Sequence, residues 1–199
     1  MTRLFVVRHA EREKIEKQAD VPKALLTIKG MNDARRLGAL MRLKLGPERI
    51  SIVTSKYNRC VQTGDFFAMG YGLDKIRSIE TDHHNFLHTP FRASISNRQR
   101  LWHSSIFKHE IYGRTMRMWK TGRYDRILVS PFALLNVMMS LAEASNTGTM
   151  FIFAHDINVS AMGICNDMRA LYCRKPAFLH GVYSENHNSR NWMIFSPEI

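Results

Sequence analysis

The sequence has little cysteine and no long apolar run. Three cysteines among 199 residues are too few for the disulfide framework that stabilises many small secreted domains, and an odd number suits a reducing compartment. The apolar stretches fall well short of the roughly 18–20 residues that a membrane-spanning helix needs. The first seven residues run directly into charged sequence, without the apolar core and cleavage site of a signal peptide. We therefore expect a cytoplasmic protein that does not enter a membrane.

Acidic residues are also scarce relative to basic ones. The 29 Lys and Arg outnumber 17 Asp and Glu, which gives a formal charge of +12. Such an excess fits nucleic acid, a membrane surface or an anionic metabolite as partner. The composition is otherwise that of a globular protein, with 45% hydrophobic and 23% charged residues. The length suffices for one sizeable core but is short for two, so we predict a single domain over residues 1–199.

Short apolar runs alternate with helical patterns in the first 80 residues. The continuous apolar run at 4–7 predicts a strand buried on both faces. Thr27 is a suitable N-cap for a helix at 29–45. The next predicted elements are a strand at 50–53, a helix at 59–69 and a strand at 76–79. This alternation predicts an α/β fold of three layers, with helices on both faces of a mainly parallel sheet.

The second half begins with an irregular, basic segment. Residues 82–125 are predicted to form a small lid of helices and loops over the carboxyl edge of the sheet. Regular patterns return after it. They predict strands at 126–129 and 150–154, helices at 131–144 and 157–171, and a closing antiparallel pair within 178–195.

Three of the predicted strands end in residues that bind anions or transfer protons. These residues are Arg8, His9 and Arg12 after the first strand, Arg59 after the second, and His155 and Asp156 after the strand at 150–154. Sites in α/β sheets form beyond the carboxyl ends of the strands. Guanidinium groups pair with phosphate oxygens, and a neutral histidine can attack phosphorus. If the strands are neighbours, the residues predict phosphoryl chemistry in which arginines, rather than a metal ion, supply the positive charge.

The order of these motifs resembles the histidine phosphatase superfamily. Its Arg-His-Gly-x-Arg motif is similar to residues 8–12, where Ala10 replaces the glycine. Its following helix entry resembles Leu26-Thr27-x-x-Gly30, and its Ser-x-x-x-Arg-x-x-x-Thr segment matches residues 55–63. Residues 155–158 are similar to the His-Asp-x-Asn motif of the histidine acid phosphatase branch. The resemblance implies a phosphoglycerate mutase-like fold.

The resemblance also implies a role for each residue of the phosphoryl site. His9 would be the nucleophile that becomes a phosphohistidine. Arg8, Arg12 and Arg59 would bind the phosphoryl group, and His155 would hydrogen-bond to it. The expected function is metal-independent hydrolysis of phosphomonoesters, without a cofactor.

The proton donor has alternatives. The acid phosphatase motif implies Asp156, which would protonate the leaving alcohol and then activate water. The mutase-like branch uses a glutamate after the third strand, so Glu80 and Asp82 stay open. The donor must carry a proton, and we expect burial or a nearby anion to raise its pKa. Asn158 could contact substrate or cap the following helix.

Two other functions stay open. One is a mutase-like phosphotransferase, against which the His155-Asp156 pair argues, because the mutase-like branch usually has glycine after that histidine. The other is a non-catalytic module that binds phosphate or nucleic acid, and the complete set of catalytic residues argues against it. The histidines of the lid lack zinc-ligand spacing. The basic residues at 92–123 fit either a solvated surface or a funnel for a small, strongly anionic phosphate ester or a phosphorylated polyanion.

Overall fold

In the part of the chain that the structure describes, the centre of the fold is a five-stranded sheet with helices on both faces. The structure is a computed structural model that describes residues 3–73, 111–122, 129–173, 175–186 and 191–198. The strands are β1 (Arg3–Arg8), β2 (Ile50–Thr54), β3 (Thr149–Ala154), β4 (Gly181–Ser184) and β5 (Trp192–Phe195). The helices are α1 (Ile28–Leu45), α2 (Asn58–Tyr71), α3 (Ile111–Lys120), α4 (Pro131–Ala144), α5 (Asp156–Cys165) and α6 (Arg169–Tyr172), and a 3-10 turn spans Gln18–Asp20.

The strand order brings the three chemistry-bearing strands side by side. Within the described ranges the order is β2-β3-β1-β4-β5. Both β1 and β2 run parallel to β3, with Arg8 opposite Ala154 and Thr54 opposite Phe153. The last two strands close the sheet as an antiparallel pair, β4 against β1 and β5 against β4. The predicted α/β fold is confirmed, and the carboxyl ends of β1, β2 and β3 share one edge.

Two apolar cores flank the sheet because its central strands are apolar on both faces. On one face Phe5 and Phe151 stack with ring centroids 4.5 Å apart, and Phe67 of α2 lies 4.6 Å from Phe151. This core also includes buried residues of α1. On the other face Leu4 and Ile152 belong to a core completed by α3, α4 and α5. The sheet therefore lies between two packed layers of helices, which fix the position of its edge.

Hydrogen bonds connect the start of α1 to the segment that follows β1. The Thr27 hydroxyl oxygen accepts a hydrogen bond from the Gly30 amide and donates one to Glu11 Oε1, each 3.0 Å long. The predicted N-cap is thus confirmed. A Cβ atom at Gly30 would lie 2.0 Å from the Glu11 carbonyl oxygen, so only glycine permits this close approach.

The prediction of one continuous helix at 157–171 is wrong. The structure divides it into α5 and α6, and Asp167 between them has a φ of 51°. A left-handed residue ends a helix, and aspartate tolerates this conformation better than most residues. The helices predicted at 29–45, 59–69 and 131–144 are confirmed with small shifts of their ends.

Several predictions fall outside the described residues. They are the strand at 76–79, the first three residues of the strand at 126–129, and all of the lid except 111–122. The lid and the single-domain organisation therefore stay predictions. None of the helices in the described ranges is both long and apolar enough to cross a membrane.

Candidate active site

The shared sheet edge brings two arginines and two histidines together, and all of them are buried. Arg8, His9, Arg59 and His155 are only 7%, 3%, 6% and 6% exposed. Backbone hydrogen bonds fix their places, because the His9 amide donates to the Ala154 carbonyl oxygen at 2.9 Å. Burying cationic groups is costly without an anionic partner, so this concentration is typical of an anion-binding site.

His9 presents a lone pair on Nε2. Its Nδ1 donates to the Ala10 carbonyl oxygen at 2.8 Å, and its Nε2 accepts from Arg59 Nε at 3.1 Å. Burial, together with the charges of Arg59 and Arg8, lowers the pKa of His9 to about 3 against the opposing hydrogen bond to Ala10. The ring is therefore neutral at pH 7, with the Nε2 lone pair directed toward the arginines.

The Arg59 guanidinium lies between the two histidines. Besides its bond to His9, its Nη2 donates to His155 Nδ1 at 3.3 Å, and its Nη1 donates to the Val21 carbonyl oxygen. The Tyr57 ring covers the guanidinium, 4.8 Å from its central carbon. Burial lowers the pKa of Arg59, but arginine stays charged in proteins. One cation thus contacts both candidate catalytic rings.

Arg8 and Arg12 add further positive charge. Arg8 Nη1 donates to the Pro176 carbonyl oxygen at 2.5 Å, and its guanidinium lies 4.1 Å from the centre of the Phe178 ring. Arg12 is half-buried, and burial lowers its pKa while the Asp156 carboxylate raises it. The three predicted arginines therefore surround the same site.

His155 is held as a hydrogen-bond donor. Because Arg59 donates to its Nδ1, its Nε2 carries the hydrogen and donates to Ser55 Oγ at 3.0 Å. Its ring lies edge-on to that of His9, with centroids 5.6 Å apart. The Cys60 sulfur lies 3.8 Å from Nε2, and burial raises the pKa of this thiol to about 12. Cys60 is therefore a neutral neighbour.

Asp156 is ionised in this structure. Its Oδ2 lies 2.8 Å from Lys175 Nζ and 3.7 Å from Arg8 Nη2, and its Oδ1 accepts from the Ile157 amide at 2.8 Å. Burial alone would raise the pKa of Asp156, but Lys175 and Arg8 outweigh burial and hold it below its usual value. The expected rise in the pKa of the proton donor is therefore not found for Asp156.

Asn158 caps α5. Its Oδ1 accepts from the His155 amide at 3.1 Å, and the residue is fully buried. The capping alternative is thus observed, while contact with substrate stays a prediction. Glu80 and Asp82 lie outside the described residues, so both stay open as alternative proton donors.

Thr63 has a positioning role that the sequence analysis did not assign, although the motif contains it. Its hydroxyl donates to the Arg59 carbonyl oxygen at 2.6 Å and accepts from the Ala10 amide at 3.0 Å. This side chain, completely buried in the structure, ties α2 to the chain directly after His9. The motif spacing was the signal available, because residues 59 and 63 are one helical turn apart.

The sequence also did not predict three residues whose role depends on what they contact: Lys175, Tyr57 and Phe178. Each contacts a charged group of the site: Lys175 pairs with Asp156, Tyr57 covers Arg59, and Phe178 covers Arg8. The segment at 175–180 contains no helix or strand and carries no motif. Only the fold brings it to the sheet edge.

Comparison with known families agrees with this site. The family model of the histidine phosphatase superfamily (branch 1) matches residues 4–84, which include β1, α1, β2 and α2. This part of the chain, about two-fifths of its length, is therefore similar to the histidine phosphatase superfamily. The matching model is that of branch 1, so the predicted place in the acid phosphatase branch is not confirmed. A search of curated proteins finds no match.

Solved structures show the same fold for nearly the whole chain. A mutant phosphoserine phosphatase from Entamoeba histolytica, in complex with phosphoserine, has a TM-score of 0.60 at 16% identity, over 98% of this chain and 96% of that one. YhfR from Bacillus stearothermophilus has a TM-score of 0.57 at 19% identity, over 92% and 90%. A mycobacterial glucosyl-3-phosphoglycerate phosphatase has a TM-score of 0.54 at 15% identity, over 97% and 96%. The expected phosphoglycerate mutase-like fold is confirmed.

Proposed function

We propose that this protein is a metal-independent phosphomonoester hydrolase that acts through a phosphohistidine at His9. One observation carries the proposal: His9 is neutral, and its Nε2 lone pair is directed at a guanidinium of the anion-binding cluster. A phosphoryl group held by these cations lies where the lone pair can attack it. Binding alone requires no such lone pair.

In the first step His9 Nε2 forms a bond to phosphorus as the ester P–O bond breaks. Arg59 transfers its hydrogen bonds from the histidines to phosphoryl oxygens, and Arg8 and Arg12 bind the others, because guanidinium groups neutralise charge on the transferred group. When Arg59 leaves His155 Nδ1, a change of tautomer lets Nδ1–H donate to a non-bridging oxygen while Ser55 Oγ donates to Nε2. The leaving oxygen takes a proton from Asp156, with Glu80 or Asp82 as the alternative donor.

In the second step water attacks the phosphohistidine. The donor, now a carboxylate, takes a proton from the water as the new P–O bond forms and the N–P bond breaks. Inorganic phosphate leaves, and His9 returns as a neutral ring. A mutase would instead transfer the phosphoryl group back to an organic hydroxyl.

The proposed substrate is a small, strongly anionic phosphate ester. Two structural neighbours support the class: one is in complex with phosphoserine and another is a glucosyl-3-phosphoglycerate phosphatase. The basic residues at 92–123 would add attraction for a substrate with several anionic groups.

The test is hydrolysis of p-nitrophenyl phosphate in EDTA, from about pH 4 to about pH 8. His9→Ala is expected to lower kcat by at least about 10³-fold and to abolish the phosphorylated protein seen by mass spectrometry after rapid quenching in base. His180→Ala, at a half-buried histidine outside the site, is the matched control. Turnover that survives His9→Ala would overturn the proposal. Phosphate binding by an inactive wild-type protein would favour a binding module, and transfer to an added alcohol instead of water would favour a mutase.

A further inference from the structure

Lys175 lies in a chain segment that is anchored against the site. The next residue, Pro176, accepts the hydrogen bond from Arg8 Nη1, and the Leu179 amide donates to the Arg8 carbonyl oxygen at 3.1 Å. Phe178 covers the Arg8 guanidinium. These contacts hold the segment beside the end of β1. The Lys175 ammonium is therefore directed at one group, the Asp156 carboxylate 2.8 Å away.

We propose that Lys175 is a positioning residue that pairs with the Asp156 carboxylate 2.8 Å away and thereby decides which leaving groups the enzyme can expel. The proposal rests on the proposed function and on Asp156 as its proton donor. Lys175 acts only through Asp156. Its side chain is 53% exposed and that of Asp156 21%, so the pair lies at the mouth of the site, where a substrate's leaving group would sit.

Leaving groups differ in their need for the proton that Asp156 would supply. An alkyl ester releases a strongly basic alkoxide, so the P–O bond breaks readily only if Asp156 transfers its proton to that oxygen. Nitrophenolate is a stable anion and leaves without a proton. A cation that disfavours protonation of Asp156 therefore restricts alkyl phosphates to lower pH but leaves p-nitrophenyl phosphate unaffected.

Other charged groups also act on Asp156. Arg8 contacts it, Arg12 lies within electrostatic range, and Arg59 and His9 lie across the site. Arg8 and Arg12 are assigned to the phosphoryl group and are therefore neutralised when substrate binds. Among the residues that the structure describes, Lys175 is left as the cation whose effect on Asp156 persists, so its replacement should be informative.

The first experiment compares Lys175→Met with Lys175→Arg on β-glycerophosphate and p-nitrophenyl phosphate. An opposite charge within hydrogen-bond distance lowers a carboxyl pKa by about 1–3 units, and exposure places Lys175 near the lower figure. Lys175→Met should therefore move the falling limb of the kcat profile for β-glycerophosphate upward by about one pH unit. The profile for p-nitrophenyl phosphate should stay in place, and Lys175→Arg should behave as wild type. An equal shift with both substrates, or none with either, would overturn the proposal.

A second measurement does not depend on activity. A carbon-13 carboxyl titration by NMR, assigned with Asp156→Asn, reports the protonation of Asp156 directly. The Asp156 resonance should titrate at higher pH in Lys175→Met than in wild type, and an unchanged titration would show that Lys175 does not act on Asp156. If the resonance shifts but His9→Ala keeps full turnover, the proposed function fails while the ion pair is upheld. In the Asp156→Asn background, Lys175→Met should have no further effect on the β-glycerophosphate profile, and a remaining shift would contradict action through Asp156.

Discussion

Replacing His9 with asparagine should remove a large part of the acid sensitivity of the fold. His9 is 3% exposed, and its pKa falls from 6.5 to about 3 because burial disfavours the charged ring. At a pH between these values, His9 binds a proton in the unfolded chain but not in the folded chain. Between these two pKa values the unfolded state therefore binds more protons, and stability falls as the pH drops through 6.5 toward 3.

The size of the effect follows from the two pKa values. A group protonated only in the unfolded state changes the free energy of unfolding by about 1.4 kcal/mol per pH unit. At pH 7 the unfolded histidine is mostly neutral, whereas at pH 5 it is almost fully charged. The folded protein should thus lose about 2 kcal/mol through His9 alone between pH 7 and pH 5.

Urea unfolding at both pH values measures this loss. The wild type should lose about 2 kcal/mol more than His9→Asn between pH 7 and pH 5. His180→Asn is the matched control, since burial also lowers the pKa of His180 but the residue is only half-buried. The lowered pKa of Asp156 acts below about pH 4 and does not interfere. Equal losses in wild type and His9→Asn would refute the neutral, buried state of His9 on which the proposed nucleophile depends.

Two further predictions concern the framework of the site. Gly30→Ala should destabilise the fold by about 1–3 kcal/mol, because its Cβ would lie 2.0 Å from the Glu11 carbonyl oxygen. Gly148→Ala is the control: its Cβ has open space around it, so it should change the free energy of unfolding by under about 0.5 kcal/mol. Urea unfolding measures both effects, and equal effects would contradict the close approach at Gly30. Thr63→Val should cost about 1–3 kcal/mol by leaving the buried Ala10 amide without its acceptor, and should lower kcat for p-nitrophenyl phosphate. Thr63→Ser should restore both, and a failure to do so would show that the hydroxyl is not what matters.

The ends of the central strands could be predicted from sequence for a physical reason. The runs at 4–7 and 150–154 are continuously apolar and stop abruptly at charged or titratable residues, so burial sets both the strand and its end. Parallel strands then align their carboxyl ends. That is why His9 and His155 could be assigned to one site before any contact was known.

The rest depends on contacts between distant parts of the chain. Periodicity predicts an element but not its neighbour in the sheet, so the position of β1 between β3 and β4 was not available from sequence. The break at Asp167 is a single left-handed residue in an otherwise helical pattern. Lys175 acts through space on Asp156, 19 positions away, and no local pattern distinguishes it from other exposed lysines.

The charges around Asp156 explain how binding and proton donation could be coupled. Within the described part of the chain, Arg8, Arg12, Arg59 and Lys175 act on the single carboxylate of Asp156. In the proposed reaction a phosphoryl dianion would become the partner of the arginines, and Asp156 would lose the attraction of Arg8. Its pKa must then rise, because burial and a new neighbouring anion both disfavour the carboxylate. The substrate would thereby help to protonate Asp156, although Lys175 still opposes this. A carboxyl that is ionised before the phosphoryl group binds is therefore compatible with a proton donor in the complex.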